Sequence, residues 1–283
     1  MIVTKIYGGL AGQMLQYSLG RALSLKHNVP LLLDLEWFQS DFNKSNETQR
    51  DFGLDKFQTQ FSTFDNSFVN KILRKLGIKT KLQKVKEKTF TFDENVLNSP
   101  NNAILDGYWF SYKYFDAIKD VLRKDFTPFL LDERNQTLLS VIKAAENPVA
   151  VHIRRGDYVS NPNANKFHGV LPLEYYKEAV RLITDKVKNP TFYVFSDDAR
   201  WVKEHFSFLE NPVFVDFNGD ANNHIDIFLM SNCKHNIIAN SGFSWWGAYL
   251  NDNKNKTVIA PETWFLAKDM NPKDVKPNDW ISI

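Results

Sequence analysis

The chain alternates between short apolar runs and longer amphipathic stretches. Runs such as LLLDL (31–35) and VAVHI (149–153) have the length and the branched apolar side chains of buried strands. Stretches such as LEYYKEAVRLITDKV (173–187) instead repeat apolar residues with the period of a helix that buries one face. Because strands alternate with helices, the sequence predicts an α/β fold in which a parallel sheet carries helices on both faces.

The predicted elements are most regular in the second half of the chain. There, strands are predicted at 149–155, 191–196, 213–217, 235–240 and 256–260, and helices at 173–187, 197–206, 224–233 and 241–250. In the first half, strands are predicted at 2–7 and 29–35, and helices at 13–27, 114–125 and 131–146. Pro148 is expected to end the last of these helices, and Pro172 to open the next one.

The change in regularity predicts two lobes. We place the boundary between residues 146 and 147, so that the N-terminal lobe covers 1–146 and the C-terminal lobe covers 147–283. We expect the last residues of the chain to pack back on the N-terminal lobe.

Composition limits the classes of protein that the chain can represent. Lys and Arg number 35 against 33 Asp and Glu, so no polyanionic partner such as nucleic acid is indicated. The single cysteine, Cys233, excludes an internal disulfide and fits a reducing compartment. The start of the chain lacks the apolar core of a signal peptide, and no apolar run approaches the roughly 20 residues of a membrane span. We therefore expect a soluble, cytoplasmic protein.

Charged or small residues follow three of the predicted strands, in the segments HIRRGD (152–157), SDDAR (196–200) and NSGFS (240–244). Ligands of open parallel sheets bind beyond the carboxyl ends of the strands, so these segments should meet at one rim. Arg154 and Arg155 supply forked positive charge that suits phosphate oxygens. The backbone N–H groups of NSGFS, at a helix start, form a seat for an anion.

A carboxylate at the same rim cannot attract phosphate. Asp197 or Asp198 would instead accept N–H donors, and guanine offers a paired N1–H and 2-amino group. Together the three segments predict a guanosine diphosphate site.

Plainer explanations stand beside these interpretations. The two arginines could form surface ion pairs, and Asp198 could cap the helix that follows it. Trp245 and Trp246 are more often core residues than a sugar platform, and Cys233 is expected to be a packed core thiol. The loop GGLAG (8–12) lacks the Lys-Ser or Lys-Thr of a phosphate loop and is expected to form a tight strand-to-helix turn.

The motifs resemble those of the α-1,2-fucosyltransferases of glycosyltransferase family 11. The resemblance rests on HIRRGDY, FSDD, HNIIANSGFSWWGAYL, IAPETWF and the N-terminal YGGLAGQMLQYSLGRALS. It implies a GT-B-like fold with two Rossmann-like lobes that face each other across a cleft. It also implies that the C-terminal lobe binds GDP-fucose, that the N-terminal lobe helps to hold the acceptor sugar, and that fucose passes to the 2-hydroxyl of a galactoside with inversion and without a metal.

The resemblance assigns roles to single residues. Arg154 and Arg155 match paired arginines that grip the pyrophosphate, with His152 beside them, and Asp197 or Asp198 falls where related enzymes contact guanine. The remaining candidates for donor binding are Ser241, Gly242, Phe243 and Ser244, together with Gly8 and Gly9. The sequence departs from the family pattern at Ala11 and Gly12, at Gly242, and at Phe110 and Lys113, and these departures concern the acceptor more than the donor.

The chemistry of the leaving group supports a site without metal. Breaking the bond between fucose and phosphate leaves negative charge on GDP, and the sequence contains no D-x-D pair that would hold a cation, so arginines are the natural substitute. The attacking hydroxyl needs a proton acceptor, for which Asp157 is the first candidate, followed by His168 and Glu174. Asp157 could equally lock Arg154 or Arg155 through an ion pair.

Two further features leave alternatives open. The segment 71–88 holds eight basic residues and one acidic residue, which predicts a solvated face or, as a minority hypothesis, peripheral association with an anionic membrane. Gln13 is a weaker site candidate. Other functions that fit the sequence are transfer from another nucleotide sugar, such as GDP-mannose, and sugar binding without catalysis by a lectin-like protein.

Overall fold

The computed structural model describes residues 1–45, 49–65, 82–267 and 271–283. The chain divides into two compact units. The first unit comprises Met1–Thr127 with Lys273–Val275, and the second comprises Pro128–Pro272 with Lys276–Ile283. The division therefore falls before the expected boundary at residues 146 and 147.

The helix Glu133–Ala144 explains this difference, because it belongs to the second unit. Its Asn135 side chain is fully buried and exchanges hydrogen bonds with Asn218. Lys273–Val275 belongs to the first unit because the Asp274 carboxylate accepts hydrogen bonds from the Phe92 N–H group and from Lys113.

The first unit is built on a parallel sheet in the order β3-β2-β1-β5-β4. Its strands are β1 (Ile2–Lys5), β2 (Leu31–Asp34), β3 (Ser62–Thr63), β4 (Gln83–Lys86) and β5 (Ala103–Asp106). Its α-helices are α1 (Leu10–His27), α2 (Asp41–Lys44), α3 (Glu94–Leu97) and α4 (Lys119–Asp125). Short 3-10 helices lie at Glu36–Gln39, Leu54–Lys56, Tyr112–Tyr114 and Asp116–Ile118.

Helix α1 packs closely on the central strand β1. A β-carbon on Gly20 would lie 2.2 Å from Oγ1 of Thr4, so only glycine permits this approach. The helix ends at His27, where Asn28 adopts the left-handed conformation with φ of 51°. The predicted helix at 13–27 is thus confirmed, and the structure extends it to Leu10.

The second unit is built on a parallel sheet in the order β11-β10-β9-β6-β7-β8. Its strands are β6 (Asn147–Ile153), β7 (Pro190–Ser196), β8 (Val213–Val215), β9 (His235–Ile237), β10 (Val258–Ala260) and β11 (Ile281–Ser282). Its α-helices are α5 (Glu133–Ala144), α6 (Gly156–Ser160), α7 (Pro162–His168), α8 (Leu173–Lys186), α9 (Ala199–His205), α10 (Asn223–Ser231) and α11 (Gly242–Leu250). A 3-10 turn lies at Asp220–Asn222.

This strand order is that of a Rossmann sheet. The chain runs outward from β6 to β7 and β8, then returns to β9 on the other side of β6 and continues to β10 and β11. The order reverses between β6 and β9, and ligands of such sheets bind at this switch point, beyond the carboxyl ends of the strands.

The core of the second unit confirms several predictions. Trp245 and Trp246 are 3% and 0% exposed, as expected of core residues, and Cys233 is a buried free thiol. Pro148 does not end a helix, however: α5 already ends at Ala144, and Pro148 lies inside β6, opposite Thr191 of β7. The prediction was wrong because the strand, and not the helix, extends to this proline.

The basic segment 71–88 falls partly outside the described residues, which resume at residue 82. Its described part forms the edge strand β4, followed by Glu87. In the part of the chain that the structure describes, no helix is both long enough and apolar enough to cross a membrane.

Candidate functional site

A cavity of about 360 Å³ lies at the carboxyl ends of β6, β7 and β8 in the second unit. It brings together residues of all three strand-end segments that the sequence singled out, together with a segment that follows β8. The lining residues are His152, Arg154, Phe195, Ser196, Asp197, Ala199, Val215, Asp216, Asn218, Gly219, Asp220, Asn223, Asp226 and Phe243.

Arg154 is held in the cavity by two carboxylates. Its Nη2 lies 2.7 Å from Oδ1 of Asp157, and its Nη1 lies 3.0 Å from Oδ2 of Asp197. The guanidinium also lies 5.6 Å from the ring centre of Tyr158. Ion pairs on both sides fix the plane of the fork, and a fixed guanidinium is suited to bind phosphate oxygens.

Arg155 has a different environment, although it is the next residue. Its Nε donates to Oδ2 of Asp198 at 3.1 Å, and its guanidinium stacks on the ring of Trp201 at 3.7 Å. Arg155 is not among the residues that line the cavity. The geometry therefore separates the two arginines, since one faces the cavity and the other packs against helix α9.

Asp197 and Asp198 both contact the arginines. Oδ1 of Asp197 accepts the N–H group of Arg155 at 2.8 Å, while its Oδ2 pairs with Arg154. Oδ1 of Asp198 accepts the N–H group of Trp201 at 3.2 Å and so caps α9, as the plainer of the two predictions for this residue stated. Asp197 lines the cavity and Asp198 does not.

His152, predicted to bind the donor, lies at the end of β6 and is 3% exposed. Its ring lies 5.4 Å from that of Phe243, and both residues line the cavity. Burial, reinforced by the positive charge of Arg154, lowers the pKa of His152 to about 3. The imidazole is therefore neutral, so it offers a ligand hydrogen bonds and no charge.

The loop NSGFS contributes the start of helix α11. Oγ of Ser241 accepts the N–H group of Phe243 at 3.3 Å, which makes Ser241 the N-cap, and Gly242 is the first helical residue. Ser244 is fully buried, and its hydroxyl bonds to the backbone carbonyls of Ala239 and Ser241. Of these four predicted residues, Phe243 lines the cavity, next to the positive end of the helix dipole.

The three candidates for a proton acceptor are differently placed. Asp157 pairs with Arg154, which is the locking role that the sequence left open, and it is not a lining residue. His168 stacks on Tyr158 with ring centres 4.6 Å apart, and burial lowers its pKa to about 4. Glu174 lies exposed in the first turn of α8, outside the cavity lining.

Hydrogen bonds join the loop after β6 to the loop after β9. The hydroxyl of Tyr158 donates to the backbone carbonyl of Asn240 at 3.1 Å. In return, the Asn240 amide donates to the carbonyls of His168 and Gly169 at 2.7 and 3.2 Å. These bonds fix the two loops relative to each other, so Arg154 and the start of α11 are held in position.

The sequence analysis missed the segment after β8. It contributes Asp216, Asn218, Gly219, Asp220, Asn223 and Asp226 to the cavity. The sequence did contain a signal for this segment, because the polar run DFNGDANN (216–223) lies at the end of a predicted strand, as the other three segments do.

The remaining site candidates, Gly8, Gly9 and Gln13, belong to the first unit. Gly8 has φ of 77°, and Gly9 precedes helix α1, as expected of a tight turn. The buried Gln13 amide donates to the carbonyls of Gly8 and Asp51 and accepts the N–H group of Gly53. Its polar atoms therefore hold the backbone around this turn.

The first unit has a cavity of its own, also of about 360 Å³, at the carboxyl ends of β1, β2 and β5. Its lining combines two aromatic rings with four charged side chains and one aliphatic residue: Lys5, Ile6, Tyr7, Asp34, Glu36, Trp37 and Asp106. Aromatic faces can pack on a sugar ring, and carboxylates beside them can accept hydrogen bonds from its hydroxyl groups.

The half-buried carboxylate of Glu87 shapes the neighbouring loop. Oε2 and Oε1 of Glu87 accept the consecutive N–H groups of Tyr108 and Trp109 at 2.7 and 2.9 Å. Trp109 adopts a left-handed φ of 64°, and Tyr108 packs edge-on against Tyr7, which lines the cavity. Lys113, a position that departs from the family pattern, pairs with Asp274 at 2.5 Å.

The chain has two α/β units, each built on a parallel sheet, and the second has a Rossmann strand order with a fixed arginine beside a helix start. This architecture is that of the GT-B glycosyltransferase fold. Solved structures share this fold. FUT1 of Arabidopsis thaliana in complex with GDP matches with a TM-score of 0.53 over 98% of this chain and 74% of its own, at 11% identity. The fucosyltransferase NodZ from Bradyrhizobium matches with a TM-score of 0.51 over 87% of this chain and 91% of its own, at 11% identity.

Sequence comparison identifies the family. The model of glycosyl transferase family 11 matches residues 62–283, and the chain belongs to this family. An α-1,2-colitosyltransferase of Escherichia coli is 35% identical over 100% of this chain and 99% of its own length. Galactoside α-(1,2)-fucosyltransferase 1 of Rattus norvegicus is 30% identical over 63% of this chain and 50% of its own length.

Proposed function

We propose that this chain is an inverting α-1,2-fucosyltransferase that moves L-fucose from GDP-fucose to the 2-hydroxyl of a galactoside. The observation that carries the proposal is the second-unit cavity, in which Arg154, the neutral His152 and the positive end of α11 converge. The names of two relatives, one a colitosyltransferase and the other a fucosyltransferase, share the α-1,2 linkage.

The chemistry follows from where charge develops. In a direct displacement, the acceptor oxygen forms a bond to the anomeric carbon while the bond from that carbon to the β-phosphate oxygen breaks. The electron pair of the broken bond stays on GDP, and the proton of the acceptor hydroxyl passes to solvent water. Arg154 and the start of α11 would stabilise the charge on GDP, so we propose that no divalent metal is required. Asp157 would position Arg154 through its ion pair.

The acceptor would bind in the cavity of the first unit. Tyr7 and Trp37 offer faces for a galactose ring, while Asp34, Glu36 and Asp106 accept hydrogen bonds from hydroxyl groups. Of the positions that depart from the family pattern, Phe110 lies in the loop that Glu87 shapes, and Lys113 lies in the 3-10 turn that follows it.

A second donor has specific support. The E. coli relative that spans the whole chain is named a colitosyltransferase, and colitose is the 3-deoxy form of L-fucose. GDP-colitose is therefore the alternative donor, and it would use the same phosphate contacts.

The test is donor-dependent stabilisation of the purified protein in EDTA, followed by transfer to lactose. GDP, GDP-fucose, GDP-mannose and UDP-galactose are compared by their effect on the melting temperature, since a ligand of the folded state raises it. We expect GDP and GDP-fucose to stabilise the protein, UDP-galactose to have no effect, and GDP-fucose to yield an α-1,2-fucosylated product by NMR. Stabilisation by UDP-galactose alone would refute a guanine nucleotide donor, and activity that EDTA abolishes would refute metal independence.

A further inference from the structure

The loop after β5 holds a tryptophan in a strained backbone conformation. Trp109 is 0% exposed and has φ of 64°, in the left-handed region. The other non-glycine residues with positive φ in the described part of the chain are Asn28, Asn189 and Asn211, and asparagine tolerates this region. A tryptophan in this conformation must be held by its surroundings, and such strain is concentrated where proteins bind ligands.

Glu87 is the residue that holds this loop. It follows the edge strand β4, and its own N–H group donates to the carbonyl of Asp106 at 3.0 Å. Its carboxylate accepts the N–H groups of Tyr108 and Trp109, and the N–H group of Phe110 also interacts with it. Consecutive N–H groups around a left-handed residue form a concave seat for an anion, and here a side chain of the protein fills that seat.

The same contact requires the glycine that begins the loop. A β-carbon on Gly107 would lie 2.3 Å from the β-carbon of Glu87 and 3.0 Å from its Oε2. The absence of a side chain on Gly107 therefore lets Glu87 approach the backbone closely. This approach fixes the chain from Asp106, which lines the first-unit cavity, to Phe110.

The loop that Glu87 holds fixes the ring of Tyr108. The ring lies over the start of helix α1, where β-carbons on Gly8 and Gly12 would each lie 3.0 Å from one of its atoms. Gly12 is a departure from the family pattern, and it leaves the space that the ring occupies. The ring also packs edge-on against Tyr7, with ring centres 5.0 Å apart, and lies 5.6 Å from the ring of Phe110. Tyr108 is therefore confined by the backbone and by two aromatic neighbours.

Tyr7 connects this arrangement to the first-unit cavity. Its ring lines the cavity and is one of the two aromatic faces that we assign to the galactose ring, the other being Trp37 at 6.4 Å. The edge-on contact with Tyr108 restricts the tilt of the Tyr7 face. A side chain that binds a ligand is precise only when packing behind it fixes its rotamer, so this support orients Tyr7 before the acceptor arrives.

We infer that Glu87 is a positioning residue for acceptor binding, and that it acts through Tyr108 and Tyr7. The inference rests on the proposed function, because it concerns the cavity to which we assign the acceptor. Glu87 is not among the residues that line that cavity, so its effect on the acceptor is indirect. It therefore sets the KM for the acceptor and leaves the chemical step and the donor unchanged.

The test compares the steady-state kinetics of the native protein and of Glu87→Gln, with lactose and GDP-fucose as substrates. Glutamine has one acceptor oxygen, and its NH₂ group would face an N–H group of the loop. We expect the KM for lactose to rise ~10-fold, as for the loss of one hydrogen bond to a charged group, with kcat and GDP affinity within about twofold of the native values. Glu94→Gln is the matched control, with an unchanged KM, because Glu94 is exposed in the first turn of α3 and does not line the cavity.

Variants of Tyr108 show whether the effect passes through this ring. Tyr108→Phe keeps the ring and its contact with Tyr7, so we expect a native KM for lactose. Tyr108→Leu removes the ring and should raise this KM ~10-fold. Because Glu87 acts through the same ring, Glu87→Gln combined with Tyr108→Leu should raise the KM no further than the larger single effect, whereas independent effects would multiply.

A native KM for lactose in Glu87→Gln would overturn the inference, as would effects that multiply in the double variant. An equal loss of GDP affinity and lactose affinity in Glu87→Gln would also overturn it, because that pattern indicates general damage to the fold. Should the glutamine variant fail to fold, Glu87→Asp keeps the charge, shortens the side chain by one methylene and is expected to raise the KM as well. A native protein that transfers no fucose to lactose would overturn the proposed function itself, which is a distinct result.

Discussion

The α-carbon of Gly156 lies so close to Asp197 that a β-carbon on it would sit 2.6 Å from Oδ2 of the carboxylate. That oxygen is the one that pairs with Arg154. The glycine of HIRRGD therefore has a direct purpose in the site, since it lets Asp197 reach the arginine that faces the cavity.

Gly156→Ala should for this reason damage both the fold and the site. The added methyl group must displace Asp197, which we expect to cost about 1–3 kcal/mol of unfolding free energy and to weaken GDP binding ~10-fold or more. Urea unfolding and GDP titration measure the two effects. Gly9→Ala is the control for unfolding, because a β-carbon there meets no atom within 4 Å. Wild-type GDP affinity in Gly156→Ala would contradict the proposed contact.

The two arginines should respond differently to substitution. Arg154→Lys removes the fork that faces the cavity, so we expect kcat to fall ~100- to 1,000-fold with little change in melting temperature. Arg155→Ala removes the stack on Trp201 and the bond to Asp198, so we expect about 1–3 kcal/mol of lost stability.

Steady-state kinetics and urea unfolding of both variants separate these roles. Equal losses of kcat with no loss of stability in either variant would show instead that both arginines act on the phosphates.

The stability of the ligand-free protein should depend on pH through Asp226. Its pKa is about 7 when folded and near the ordinary value of 3.8 when unfolded. Between these values the folded state binds a proton that the unfolded state has released, so this group's contribution to stability is full below pH 4 and is lost as pH rises through 7. The side chain of Asn in Asp226→Asn cannot ionise, so the stability of this variant does not fall through this group as pH rises.

The variant's advantage in melting temperature should therefore be small near pH 4 and reach its full size above pH 7. Each unit of pKa difference corresponds to about 1.4 kcal/mol, so a rise of several degrees is expected at pH 8. Thermal unfolding of native protein and variant between pH 4 and 8 measures it. A constant difference across this range would show that Asp226 does not titrate as described.

Trp37 provides the test of the acceptor cavity. Trp37→Ala removes one of its two aromatic faces, so the KM for lactose should rise ~10-fold while GDP affinity stays unchanged. Phe42→Ala is the matched control, because Phe42 is 68% exposed, packs against Trp37 and does not line the cavity. A KM that moves equally in both variants would place the acceptor elsewhere.

The location of the second-unit cavity was predictable because parallel strands are buried on both sides. Their apolar runs are easy to recognise, and polar residues such as His152 and Asp197 then mark the strand ends. Helices α6 and α7 were missed because they are short and polar and have no apolar period. Asn161 and Pro162 carry the local signals for α7, since the Asn161 side chain caps the N–H groups of Asn163 and Ala164 and Pro162 is the first helical residue.

The different environments of Arg154 and Arg155 could not be predicted from the sequence. Adjacent residues differ here because Asp198 and Trp201, three positions apart around the start of α9, capture one guanidinium and leave the other to the cavity. Asp226 was overlooked because nothing in its local sequence marks it. It stands as a single carboxylate in the apolar helix HIDIFLMSNC, where charge is rare and where its buried partner Asn218 comes from another segment.

The carboxylates around the two arginines also bear on how fast the enzyme can turn over. Asp157, Asp197 and Asp198 outnumber Arg154 and Arg155, so this part of the site has no excess of positive charge. Arginines without such partners would retain the spent nucleotide, and product release often limits the rate of an efficient transferase. With GDP as the proposed product, carboxylates beside Arg154 would favour a site that discharges its product over one that stores it.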